Sequence, residues 1–291
     1  MTQALEFTGE VPFKDVLIHG IVRDSQGRKM SKTLGNGIDP LEVIDEYGAD
    51  SLRFSVLSGT TMGNDIRFMP EKLEQASNFA NKIWNAAKFI INSLADEEKV
   101  REFSEKALLA DNGYNKDLLK IEDRWILNKL DKLVSEVSKN IDNYDIGIAV
   151  DKIYNFIWNE FCDWYIEMVK PRMYSEDEKI KVQVSAMLNY VFGNSLKLLH
   201  PFMPFITSEI YSKLICFGTE DLIVSKWPEI KHKFAFDADE SIVESLKKLI
   251  TEIRNVRTKM NVHPSKKSKL ILVTNLDKKE IKESEEFLLK L

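Results

Sequence analysis

The chain has 291 residues, with 41 Lys+Arg against 46 Asp+Glu and a formal net charge of −5. This balance excludes an indiscriminate polyanion binder, so a nucleic-acid partner has to be met by a local basic or polar face. A hydrophobic content of 44% gives material for two or three structural units with real cores, and no run approaches the ~18 uninterrupted apolar residues of a membrane span.

In chain order, "PFKDVLIHGIVRDSQG" is β-branched around Val16, Ile18, Ile21 and Val22 and predicts one strand, or a strand pair, ending in the Ser25–Gly27 turn. So few strands make no independently stable sheet, and a cover from outside this chain is expected. Asp39 as N-cap, Pro40 at the first helical position and Glu42 three residues past the cap predict a helix that Gly48 stops. Asp50 then caps a second helix carrying Leu52, Val56 and Leu57, and "SGTTMGNDIRF" is a Gly-rich connector returning briefly to extended chain.

"PEKLEQASNFANKIWNAAKFIINSL" predicts a long helix, with Leu73, Ala76, Phe79, Ile83, Ala86 and Ile90 on one stripe. After a loop at "DNGY", Ile126, Leu130, Leu133, Val137 and Ile141 repeat that period. A helix from about Asp145 to Lys170, carrying Ile146, Ala149, Ile153, Phe156, Trp164 and Met168, is predicted to stop at Pro171. Ser175 with Glu178 forms a capping box before "KIKVQVSAMLNYVFGNSLKLLH", and a short helix in "PFMPFITSEIYSKLI" completes a helix bundle. Past "WPEIKHKFAFDADES" come a helix with Ile242, Leu246, Leu249, Ile253 and Val256, the β-like "KLILVT" and a Lys/Glu-rich helical end.

Cys162 and Cys216 lie far apart in apolar settings without Cys-x-x-Cys spacing, as thiols of a reducing compartment such as the cytosol do. His19, His200, His232 and His263 show no pairing at helical spacing, so no metal site is expected. His200, before Pro201, reads as a satisfied core histidine.

Two segments concentrate chemistry. "GRKMSKTLGNG" gathers Arg28, Lys29 and Lys32 in a loop with Met30 as apolar anchor, Ser31 and Thr33 as hydroxyl donors, and Gly27, Gly35 and Gly37 as hinges. It reads either as a solvated turn or as a mobile loop for a di- or triphosphate that gains charge in a transition state. The G-x-x-x-x-G-K-[ST] order of a P-loop is absent. On the long helix, Asn78, Asn81, Lys82, Asn85 and Lys88 oppose the apolar stripe, with Trp84 and Phe89 at the margins. Asparagine is a mediocre helix former. This face is either solvated surface or one whose amides read base edges while aromatic rings stack on unpaired bases.

Three further features have structural or surface readings beside any functional one. Asp163 and Glu167 lack a companion histidine and read as carboxylates bonding to cations of neighbouring helices, with Trp158 and Trp164 as core. Arg254, Arg257, Lys259, Lys266, Lys267 and Lys269, around Pro264, form a basic cluster that is either solvated or laid against an RNA backbone.

"RKMSKTLGN" resembles the Lys-Met-Ser-Lys-Ser signature of class I aminoacyl-tRNA synthetases, and "IDPLEVIDEYGADSLRF" is similar to its continuation in the valine, isoleucine and leucine enzymes. "NFANKIWNAAKF", "WNEFCDWYIEMVKP", "LLHPFMPFITSEIY" and "IRNVRTKMNVHPSKK" together resemble the valyl-tRNA synthetase family, in that family's order and over nearly the whole chain. The resemblance implies a mainly α protein. Residues 1–36 would end a catalytic Rossmann domain, 37–70 form a stem-contact region, 71–235 an anticodon-binding helix bundle, and 236–291 part of an α/β junction toward a coiled coil.

It further implies ATP-dependent activation of valine and its transfer to tRNA(Val), with Mg accompanying ATP. Lys29, Met30, Ser31, Lys32 and Thr33 would meet the ATP phosphates, with Lys32 and Lys29 catalytic. Asn78, Asn81, Asn85, Lys88 and Phe89 would meet the anticodon. Thr33 keeps the hydroxyl of the usual serine, whereas Lys88 replaces an expected arginine and loses its planar fork. The family's His-Ile-Gly-His signature is absent, as are the valine pocket and editing domain. A C-terminal piece is therefore expected, cytoplasmic and monomeric, with no membrane partner, and unable to activate valine by itself. The alternative is a stand-alone RNA-binding or scaffold module without catalysis.

Overall fold

A computed structural model describes residues 1–109, 113–215, 221–230 and 236–263, together with 266, 269, 271 and 273. It opens with a short helix, α1 (Thr2–Thr8), none of whose residues is buried. The expected strand shrinks to β1 (Val22–Arg23), which pairs in parallel with β2 (Ile66–Arg67), Val22 opposite Ile66. Val16, Ile18 and Ile21 are exposed. β-Branched residues form a strand only where a neighbour accepts their ladder bonds, and among the described residues only the two of β2 do so. The brief return to extended chain before residue 70 is present as β2.

Asp39 and Pro40 start α2 (Pro40–Tyr47) as expected, Asp39 accepting from Leu41 N at 2.8 Å. α3 (Ala49–Leu57) differs, since Gly48 rather than Asp50 occupies its cap. The buried Asp50 carboxylate instead accepts from Phe205 N (3.3 Å) and Ile206 N (2.7 Å) at the start of α10 (Pro204–Tyr211). The free amides of that helix start need an acceptor, and α3 packs directly against it. Arg53 on the same helix donates to Phe202 O (3.3 Å) and Pro201 O (2.9 Å).

The bundle itself consists of α4 (Pro70–Asn92), α5 (Glu97–Ala107), α6 (Ile121–Asp142), α7 (Ile146–Asn155), α8 (Ile166–Met173), α9 (Glu178–Leu199), α10 and α11 (Asp237–Lys259). The predicted stripe of α4 is inside, Phe79 and Ile83 at 0% exposure. Trp125, Phe161, Tyr165 and Phe192 complete the centre, with the rings of Phe161 and Phe192 stacked at 5.3 Å. α5 has no counterpart among the expected elements, because its Lys/Glu-rich sequence offers a short core face, with Val100, Ser104 and Ala107 buried and Phe103 half-buried against the core.

Between α7 and α8 the helix does not break but passes through a π-helical stretch, Phe156–Tyr165, in which Ile166 N donates to Phe161 O. Nor does it stop at Pro171. It runs to Met173, with Arg172 buried. A proline so near a helix end forfeits one hydrogen bond, and ion pairs from Arg172 to Glu122 (2.8 Å) and Asp123 (2.9 Å) on α6 hold the last turn in place. The box expected from Ser175 and Glu178 is replaced by Asp177, whose side chain accepts from Lys179 N at 2.9 Å, while Ser175 Oγ accepts from Asp177 N at 3.2 Å.

Charges also fasten α11 along α6. Arg124 meets Asp239 at 2.7 Å, Lys132 meets Asp237 at 2.7 Å, and Lys129 meets Glu244 at 2.9 Å. Lys247 reaches Glu160 of the π stretch at 2.5 Å. "KLILVT" and the Lys/Glu-rich end lie largely or wholly outside the described residues, as do Pro264, Lys267, Cys216, His232 and the first two residues of "DNGY". Among the described residues, no helix is long and apolar enough to cross a membrane.

Gly147, buried in the first turn of α7, marks where the 58–64 connector meets the bundle. A Cβ there would lie 2.2 Å from Thr60 O and 2.8 Å from Thr60 N. Backbone cannot yield as a side-chain tip can, so Gly147→Ala is expected to lower stability by about 1–3 kcal/mol. Urea unfolding measures this, and an unchanged midpoint would contradict the close approach.

Candidate functional site

The signature loop is built on a tight turn after β1. Gly27, at φ +81°, lets the chain reverse, and Asp24 N closes the turn by donating to Arg28 O at 3.0 Å. Arg23 and Lys29 form an antiparallel bridge across the turn. Asp24 is buried and accepts from the amides of Gln26 (3.1 Å) and Arg28 (2.7 Å), from Arg28 Nε (2.8 Å) and from Asn36 Nδ2 (2.9 Å). These bonds, that from Asn36 foremost, lower its carboxyl to about 2.

Of the three cations concentrated in the loop, Arg28 is thus occupied by Asp24. Lys29 and Lys32 are exposed and make no ion pair among the described residues. Met30 and Ser31 are half-buried and Thr33 is exposed, with Ser31 Oγ accepting from Leu34 N at 3.3 Å. Two unpaired ammonium groups on a stapled loop are suited to a phosphate chain.

On α4 the polar strip is as predicted in exposure. Asn78, Asn81, Asn85 and Lys88 are exposed and Phe89 is half-buried. None of the three asparagine side chains hydrogen-bonds a described residue, so their amides stay available. Lys82 does not belong with them. It pairs with Asp163 at 2.6 Å and lies 3.8 Å above the Trp158 ring.

Two cations from elsewhere in the fold, Lys213 just past α10 and Lys170 of α8, flank the strip, which sequence spacing could not reveal. Lys213 and Lys88 stand 5.4 and 5.8 Å from the Trp84 ring, and Lys170 of α8 stands 5.6 Å from that of Phe89. The strip runs from about 12 to about 28 Å along α4 from Pro70. The loop joins the other end of that helix through the β1–β2 pair, so the fold does not bring the two candidate sites together.

The remaining candidates are structural in their contacts. Asp163 bonds across to α4 as expected, but Glu167 bonds Lys170 of its own helix. Trp158 and Trp164 are half-buried. His200 Nδ1 is 2.8 Å from Thr207 Oγ1, and burial lowers its pKa. In the basic cluster, Arg257 donates to the carbonyls of His263 (2.9 Å) and Lys266 (2.8 Å), and Arg254 lies 5.8 Å from the Trp164 ring. No group of three or more His, Cys, Asp or Glu residues gathers to hold a metal among the described residues.

The helical bundle and the preceding loop match two known family descriptions. Residues 123–272, just over half of the chain, match the anticodon-binding domain of tRNA ligase, and residues 1–69 match class I tRNA synthetases of the I, L, M and V group. The chain therefore belongs to the tRNA ligase family that carries this anticodon-binding domain. The α4 strip falls between the two matched ranges, so its reading rests on geometry.

Among similar proteins is the valine–tRNA ligase of Clostridium acetobutylicum, 49% identical over 275 residues, covering 93% of this chain and 29% of the relative. That of Bacillus subtilis is 44% identical over 275 residues, covering 94% of this chain and 30% of the relative. The chain thus spans under a third of the length of these relatives. In fold it is similar to LeuRS of Agrobacterium radiobacter, solved in a ternary complex with tRNA and LeuAMS, at 22% identity and TM-score 0.53 over 74% of this chain and 24% of that one. It is also similar to the methionyl-tRNA synthetase of Mycobacterium tuberculosis solved with methionyl-adenylate, at 21% identity and TM-score 0.50 over 66% of this chain and 36% of that one.

Proposed function

We propose that the chain is the part of a valine–tRNA ligase that supplies the phosphate loop of the ATP site and reads the anticodon of tRNA(Val). The observation that carries this reading is the exposed strip Asn78–Asn81–Asn85–Lys88, whose asparagine amides bond no described residue and which is flanked by Trp84 with Lys213 and Phe89 with Lys170. Amides that bond no described residue can meet base edges, flanking rings can stack on splayed bases, and the lysines can hold phosphate.

In the loop, Lys29 and Lys32 meet the ATP phosphates as the valine carboxylate attacks the α-phosphate and pyrophosphate leaves. Lys32 carries the larger share of transition-state stabilisation, Met30 anchors the loop, and Ser31 and Thr33 contribute hydroxyl groups. Magnesium would travel with ATP. Residues 1–36 then belong to the catalytic domain, 37–70 to the stem-contact region, 71–235 to the anticodon bundle and 236–291 to a junction. The setting is a cytoplasmic monomer.

Binding of tRNA(Val) and of an anticodon-substituted version to the purified chain tests the reading. The native tRNA is expected to bind about tenfold or more tightly, and equal affinity would refute anticodon recognition. Asn85→Ala should cut that discrimination about threefold to tenfold while leaving the unfolding midpoint unchanged, since the side chain is exposed and bonds no described residue. Unaltered discrimination would return the strip to solvated surface.

A further inference from the structure

The signature loop is held by more bonds than a solvated turn requires, and they converge from both of its ends. Asp24, outside the loop, is buried in a stretch whose neighbours Ser25 and Gln26 are exposed. Its Oδ1 takes the amides of Gln26 (3.1 Å) and Arg28 (2.7 Å) at the entrance, and its Oδ2 takes Arg28 Nε (2.8 Å) and Asn36 Nδ2 (2.9 Å) from the exit. Asn36 in turn accepts from Ser31 N at 3.0 Å and donates to Lys29 O at 3.3 Å. The backbone on either side of Met30 is therefore tied to one amide, and that amide is tied to one carboxylate.

We propose that Asp24 and Asn36 are positioning residues of the phosphate loop, a latch that presets where Lys29 and Lys32 stand before any phosphate arrives. This deepens the functional reading above and rests on it. Two ammonium groups three residues apart repel each other and favour an open, disordered loop. A cradle of cations is effective only if little reorganisation is left for the moment of charge development. The latch supplies that order without neutralising either lysine, because the charge of Asp24 is spent on Arg28. Its carboxyl, lowered to about 2, stays ionised throughout the working pH range.

The roles of donor and acceptor in the pair allow a test on this chain. Amide exchange of Arg28 and Ser31 is followed by NMR in the native chain, in Asn36→Ala, in Asn36→Asp, and in the combination of Asn36→Asp with Asp24→Asn. Asn36→Asp sets two carboxylates face to face and is expected to accelerate exchange about tenfold or more. Adding Asp24→Asn restores a donor facing an acceptor and should recover most of the protection, which a merely local loss of structure would not do. Inorganic triphosphate should slow exchange in the native chain and bind about tenfold more weakly to Asn36→Ala, although both lysines remain. Unchanged exchange in Asn36→Asp, or no recovery in the combination, would overturn the latch while leaving the phosphate reading intact. Absence of any triphosphate effect in the native chain would overturn the phosphate reading, and the positioning role with it.

Discussion

Arg172→Met is expected to lower the unfolding free energy at neutral pH by about 3–5 kcal/mol, because it strands two buried carboxylates. Arg172 Nη1 donates to Glu122 (2.8 Å) and Asp123 (2.9 Å), and Nη2 to Asp123 (2.9 Å), while Tyr165 Oη donates to Asp123 at 2.8 Å. Asp123 is 0% exposed and Glu122 and Arg172 are each 5% exposed. Burial opposes the charge on Arg172, but the two carboxylates outweigh it and hold the guanidinium above its ordinary range.

Glu122 moves the other way, its carboxyl raised first by burial and then by repulsion from Asp123. The folded state therefore holds that proton more tightly than the unfolded chain does. Ionising Glu122 costs stability as pH rises from its ordinary 4.5 through the raised folded value, and the cost is relieved as pH falls. Without Arg172 the cost grows, so acidification to about pH 5 should narrow the gap between variant and native protein. Urea unfolding at both pH values checks this. A loss below about 1 kcal/mol at neutral pH, or a gap that widens in acid, would contradict the network as described.

Phe79→Ala should cost about 3–5 kcal/mol, and it should weaken anticodon discrimination without removing any group that faces solvent. Phe79 is fully buried, with ring centroids 5.1 Å from Phe54, 4.7 Å from Tyr154 and 6.3 Å from Trp158. It seats α4 against α3 and α7, on the side of the helix opposite Asn78, Asn81 and Asn85. Thermal unfolding and tRNA binding measured together separate this effect from Asn85→Ala, which is expected to alter binding alone. A Phe79→Ala chain of native stability would show that α4 is not held from its apolar side.

How much was legible follows from how far each residue's decisive partner lies along the chain. The cap at Asp39–Pro40, the stripe of α4 and the exposure of its asparagines depend on neighbours three or four residues away, and these were readable. Asp50 looked like a local cap but serves amides 155 and 156 residues downstream. Pro171 looked like a stop, yet Arg172 is anchored to residues 49 and 50 positions upstream. The π-helical register at Phe156–Tyr165 left no periodic signature, since its apolar residues still recur at intervals that suit an ordinary helix. The first strand was overestimated because β propensity presumes a partner, and only β2 supplies one.

The candidate sites divide along the same line. The sequence by itself determined which chemical groups are present and which helix face they occupy: ammonium and hydroxyl groups in a glycine-flanked loop, and amides opposite an apolar stripe. Only the tertiary structure decided which of those groups are free. Arg28, Lys29 and Lys32 look alike as written, but Asp24 claims the first and the other two make no ion pair among the described residues. Lys82 and Lys88 share a face of α4, but Asp163 claims Lys82, while Lys213, from a turn more than a hundred residues away, comes to stand beside Trp84. The physical reason is that periodicity assigns a side chain to solvent or core, whereas a charge is spent or spared by whatever oppositely charged group packing carries to within a few ångströms.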